Sequence, residues 1–207
     1  MCRVMLFSKH LSSLKPLVAL VLLCSSVGIS AQNEKQQAIV KADSTWSTEI
    51  IPFPIDWATK ITYSGFEELR FAPNWNNVNH QEFWTLVMSW QVETKTEIPL
   101  EDLQFNLNHY FTELMKPNHW AQEFPDPELA LSDLEVSESG TQFKGEMTFF
   151  DGFHTGKVIT VKILGSQRLC KTSGKAFVIF KLSPKAYGQP IWKQLNAIAL
   201  KEDACVD

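Results

Sequence analysis

Long apolar runs are scarce in this sequence, as are glycine-rich loops, cysteines and surplus positive charge, and each shortage removes a class of function. No stretch approaches the ~20 consecutive apolar residues of a membrane-spanning helix; Leu17 to Leu23 falls well short. The 9 glycines form neither Gly-x-Gly-x-x-Gly nor a Walker lysine loop, so the backbone offers no cradle for a nucleotide phosphate. A Gly-x-Ser-x-Gly elbow and a His-Glu-x-x-His helix are equally missing, and with them the signatures of α/β-hydrolase and zincin chemistry. Basic residues (19) are outnumbered by acidic ones (23). Phosphate-backbone binding needs clustered Lys and Arg, so nucleic acid is excluded as a partner. No motif implies a cofactor.

What is present begins with a segment that stands apart from the rest. In Met1 to Ala31, Arg3, Lys9 and Lys15 make a basic start, Leu17 to Leu23 is apolar, and Ser25 to Ala31 is small and weakly polar. That layout is a secretory signal peptide with cleavage before Gln32. A lipoprotein signal ending at Cys24 is disfavoured by Leu22 and Leu23, which stand where small residues are needed. The expected mature protein is exported, periplasmic or secreted, with no stable membrane insertion. Removing 3 basic residues from 19 leaves 16 against 23 acidic, so net charge moves from −4 to −7. Gln32 to Thr45 is polar and patternless, a disordered leader. Residues 46–207 are long enough for one domain with its own core. Of 4 cysteines, Cys170 and Cys205 remain, and in an oxidising compartment they are expected to pair.

The domain is organised around Ile61 to Val92. Its second half alternates, with Trp84, Leu86, Met88, Trp90 and Val92 on one face and Phe83, Thr85, Val87, Ser89 and Gln91 on the other. Trp46 to Trp57 holds Ile50, Ile51, Phe53 and Ile55 but is broken by Pro52 and Pro54, which suits an extended edge or a cover for the sheet. Gly65 marks a turn or bulge. Leu100, Leu103, Leu107, Tyr110, Phe111 and Leu114 form one helical stripe between Pro99 and Pro117. Leu129–Val136, Gln142–Phe150, Lys157–Leu164 and Lys175–Leu182 read as strands separated by turns, one of them Ser137 to Gly140. A last helix is expected over Pro190–Lys201. Short links favour antiparallel pairing. The predicted fold is α+β, a single twisted antiparallel sheet of about six strands with two main helices packed against it.

That element order resembles the PsbP-type α/β/α sandwich, a likeness of topology that implies fold and no chemistry. The aromatic signposts are similar to those of a group of uncharacterised small exported bacterial proteins. These signposts are Phe53-Pro54, Trp57-Ala58, Gly65 with Glu67 and Phe71, Pro73-x-Trp75, Phe83-Trp84 with Trp90, Asp151-x-Phe153, and Ser183-Pro184 with Ile191-Trp192. They are core and turn residues, so this resemblance too implies a shared fold alone.

Residues able to carry chemistry are few. His80 and His119 sit in polar loops, and His109 lies opposite the apolar stripe of its helix, as a solvated histidine would. His154 shares a turn with Asp151, and a carboxylate three residues before an imidazole can orient it as a general base or metal ligand, though Asp-Gly and Thr-Gly are turn chemistry first. Glu67, Glu68 and Glu82 offer carboxylates, but adjacent strand residues point to opposite faces, which argues against a glycosidase pair. The aromatic load is more telling. Trp75 stands in Pro73-Asn74-Trp75-Asn76-Asn77 and Trp120 in Asn118-His119-Trp120. An indole beside amides can stack on a sugar or clamp a peptide, or fold back as a lid. Two functions stay open: a non-catalytic exported binding or accessory domain, whose partner is a small molecule, glycan or protein met by Trp75, Asn74, Asn76 and Trp120, and a small metal-assisted hydrolase using His154 and Asp151.

Overall fold

In chain order the strands are Val40–Lys41 (β1), Ser47–Phe53 (β2), Gly65–Phe71 (β3), Leu86–Glu93 (β4), Glu128–Ser137 (β5), Gly140–Asp151 (β6), Lys157–Cys170 (β7), Lys175–Ser183 (β8) and Ala199–Leu200 (β9). Helix Leu100–Met115 (α1) follows β4, and helix Pro190–Ala197 (α2) follows β8. The computed structural model describes residues 38–116, 125–137 and 140–205. The expected signal segment with Cys24, residues 32–37 of the expected leader, His119, Trp120 and the Glu138-Ser139 turn tip lie outside the described residues.

Strands β2 to β8 form one sheet in the order β2-β3-β4-β8-β7-β6-β5, antiparallel at every pairing. The α+β expectation stands, with seven strands in place of about six. The added strand is β2, which pairs with β3 along its whole length, Pro52 opposite Phe66. An edge strand tolerates Pro52 because one row of its amides has no partner to lose. Gly65 opens β3 at φ +131°, where a Cβ would meet the Gln91 carbonyl oxygen at 1.9 Å, so no other residue fits that turn into the sheet.

The two faces of the sheet hold two cores. On one, Leu86, Met88, Trp90 and Val92 of β4 pack with Leu103, Leu107, Tyr110 and Phe111 of α1. On the other, Val87, Phe177 and Ile179 pack with Ile191, Trp192 and Leu195 of α2. A helix on each face follows from connectivity, since α1 carries the chain from β4 to the far edge strand β5. It lies chiefly over β5 and β6 and covers that face of β2–β4 only in part.

Four expectations are corrected. Phe83 belongs to the same core as Trp84; Trp84 takes φ +50° in the turn before β4, which resets the alternation. A bulky residue with positive φ is a true outlier. His109 is 8% exposed, not solvated, because the chain leading into β3 covers that side of α1: the Lys60 amide donates to His109 Nε2 at 3.3 Å, and Asn106 Nδ2 donates to the Tyr63 hydroxyl at 2.8 Å. The second helix ends at Ala197, as Ile198 turns extended and Ala199–Leu200 pairs with Val40–Lys41. The end of the expected leader is itself structured. Ile39 and Val40 are buried, and their amides donate to the Glu68 carboxylate.

Candidate functional site

Between α1 and the uncovered part of β2–β4 lies a cleft of about 640 Å³, within the ~300–1,000 Å³ typical of small-ligand sites. Its floor is the outward row of the β strands, Leu69, Leu86 and Met88, and its α1 wall is Tyr110, Phe111 and Leu114. Trp57, Trp75, Trp84 and Phe153 close the remaining sides. Trp57 and Phe153 form the rim, 39% and 38% exposed. Trp57 is held edge-on against Tyr110 at 4.9 Å between centroids, and Phe153 lies 6.3 Å from Trp84. The β2 edge contributes Ser47, Thr48 and Glu49, the polar part of the lining.

Under the Tyr110 wall sits a fully buried carboxyl. Glu67 accepts from Trp90 Nε1 at 2.8 Å on one oxygen and from the Tyr110 hydroxyl at 2.9 Å on the other. Burial pushes its pKa from 4.5 up to about 7, opposed by those two hydrogen bonds and reinforced by the Glu49 charge. Tyr110 is driven well above its ordinary value by burial and then by Glu67. Glu68 points to the other face, toward Ile39, Val40 and Arg70, as strand alternation requires.

Trp75 is in the cleft wall, folded in as a lid against Phe71 at 4.6 Å and Trp84 at 6.0 Å. Its loop is clipped shut by the Trp84 amide, which donates to the Trp75 carbonyl at 2.8 Å. The flanking amides are not with it. Asn74 gives its backbone amide and Nδ2 to Glu82 Oε2 at 3.0 and 2.8 Å, and Asn76 is exposed and outside the lining.

His154 and Asp151 share a turn without forming an acid–base pair. The buried Asp151 carboxylate accepts from the amides of Phe153, His154 and Thr155 and from the Thr155 hydroxyl, so it caps the turn. The His154 ring packs edge-on against Trp75 at 5.0 Å. Its Nε2 and the Trp84 indole N–H are enclosed without a hydrogen-bond partner among the described residues. His80 Nδ1 accepts from the Glu82 amide at 3.2 Å. Among the described residues no three His, Cys, Asp or Glu side chains converge as metal ligands would.

Of the residues singled out in the sequence as ligand contacts, Trp75 lines the cleft; Trp57, Phe153, Glu49 and Tyr110 line it too and were not singled out for binding. Phe153 follows Asp151-Gly152 and reads as a turn residue. The one signal for Trp57 was its place after two prolines, which says extended cover without saying what is covered.

No family model matches this chain, and no curated protein matches it either. Among solved structures it is similar to the solution structure of cyanobacterial PsbP from Synechocystis, at 9% identity over 84% of this chain and 99% of that one, with a TM-score of 0.39. That protein is of the type the element order resembles, and a likeness this loose says nothing of chemistry.

Proposed function

We propose that this chain is an exported, non-catalytic binding domain whose site is the aromatic cleft between α1 and β2–β4. The observation that carries the reading is the pair of rim rings. Trp57 and Phe153 keep more than a third of their surface in water beside a cleft already walled by Trp75, Trp84 and Tyr110. Exposing large apolar groups around a concavity makes sense if a ligand covers them. The ligand is a compact small molecule with an apolar body, since aliphatic and aromatic side chains make up most of the lining. A glycan is less well served, because Asn74 is committed to Glu82 and the polar lining is confined to one edge strand. Export rests on the basic, apolar and small-residue layout of Met1 to Ala31.

Methyl NMR with toluene as a neutral probe tests the site. The methyls of Leu69, Leu86, Met88 and Leu114 are expected to shift first and saturably, with quenching of tryptophan fluorescence. Shifts confined to methyls elsewhere, or none at the solubility limit of toluene, would show that the cleft is not a binding site.

A further inference from the structure

We infer that the cleft selects an organic cation, a tertiary or quaternary ammonium on an apolar or aromatic body. The inference rests on the cleft being the binding site and names the chemistry that site prefers.

Charge complementarity carries it. No Lys, Arg or His lines the cleft, and Glu49 supplies its one carboxylate. Glu49 is exposed on the edge strand, and no described cation pairs with it. The nearest guanidinium is Arg70, which reaches Thr48 from the far face of the sheet and is bound to Glu68 through Nε and Nη2, both at 2.6 Å. It is therefore no counter-ion for an anionic ligand. Behind the wall, Tyr110 spends its hydroxyl proton on Glu67, so the phenol turns no donor toward the cleft. An anion would meet the Glu49 charge with no cationic side chain in the lining to balance it; the unpaired Trp84 indole N–H is a neutral donor only.

The rings add attraction of the same sign. Aromatic faces are negative and hold a cation within about 6 Å of the centroid. Here neighbouring rings stand at steep angles, 67° for Trp57–Tyr110 and 87° for Trp75–Trp84, so the two rings of each pair do not stack face to face and bury both faces against each other. A hard metal ion is poorly matched, because it requires several oxygen ligands and the lining gathers them only at Ser47, Thr48 and Glu49. A weakly hydrated ammonium with an apolar body satisfies both halves of the lining at once.

The test compares three probes of similar shape: benzyltrimethylammonium, its neutral carbon isostere 2,2-dimethylpropylbenzene, and phenylmethanesulfonate. Methyl NMR and tryptophan fluorescence follow binding to the folded, exported protein. The cation is expected to bind roughly tenfold tighter than the isostere, as desolvated cation–π contact allows, and the sulfonate weakest. Glu49→Gln, a change at an exposed side chain, is expected to weaken the cation several-fold and leave the isostere unchanged, with the variant still folding cooperatively. If the isostere binds at the same methyls as tightly as the cation, the preference for cations is overturned while the cleft remains a binding site. If neither of those two probes nor toluene moves those methyls, both readings fall.

Discussion

Glu67 has each carboxyl oxygen committed inside the protein, and its raised pKa makes stability depend on pH in a definite direction. With a folded value near 7 against 4.5 ordinarily, the native state holds more protons than the unfolded chain between those values. Its contribution is therefore complete below about pH 4.5 and is lost as pH rises through 7. Each pKa unit corresponds to about 1.4 kcal/mol, so the effect is on the order of a few kcal/mol. His109, whose pKa burial pushes down, tilts stability the other way, being costly as pH falls. The difference between wild type and Glu67→Gln isolates the carboxyl: the wild-type melting temperature is expected to fall relative to the variant from pH 5 to pH 8. Parallel curves would mean that Glu67 ionises normally. The same scale shows how little volume the core can spare. A Cβ on Gly165 would lie 2.1 Å from the Phe143 ring, so the ring of β6 lies across the glycine it faces on β7 and leaves no room for a side chain.

Among the elements, α2 and the pair β1–β9 are held together by more than their own contacts. Cys170 at the end of β7 is joined to Cys205, 35 residues on and 5.4 Å away between Cα atoms. The pairing expected from two leftover cysteines thus fastens the segment after α2 to the sheet. Closing a loop of that length contributes roughly 4 kcal/mol on the chain-entropy model. Cys170→Ser/Cys205→Ser is expected to unfold at clearly lower denaturant, with α2 still seated through Ile191, Trp192 and Leu195. Equal midpoints with and without the bond would show that those contacts alone hold the helix. Elements whose pattern is local were legible: α1 falls at Leu100–Met115, on the stripe between two prolines. The end of α2 was not, because what stops it is pairing of Ala199 with Lys41, and helical periodicity cannot register a strand so distant in sequence.

At the scale of the whole molecule the question is where the domain begins. Ile39 and Val40 fill the α2-side core and satisfy the Glu68 carboxylate. Burying each such side chain is worth roughly 1.5–3 kcal/mol, and stripping donors from a buried acceptor costs about 1–3 kcal/mol more. A chain beginning at Ser44 is therefore expected to lose several kcal/mol against one beginning at Gln32, measured by chemical denaturation. Matching midpoints would make β1 an ornament on a domain that starts at Trp46.

The sequence by itself determined the α+β class, the two-faced strand around Trp90, the helix over α1 and the disulfide, because each rests on a short-range period or on a count of two. It also placed Trp75 in a loop able to fold back. Tertiary structure alone decided that Asn74 turns to Glu82 instead of a ligand, that Asp151 caps its own turn, and that Tyr110 meets Glu67 from 43 residues away. The cleft is of the second kind. Its walls come from β2, β3, β4, α1 and the loops carrying Trp57, Trp75 and Phe153, and no local pattern records that α1 crosses toward β5 and leaves β2–β4 partly open beside it.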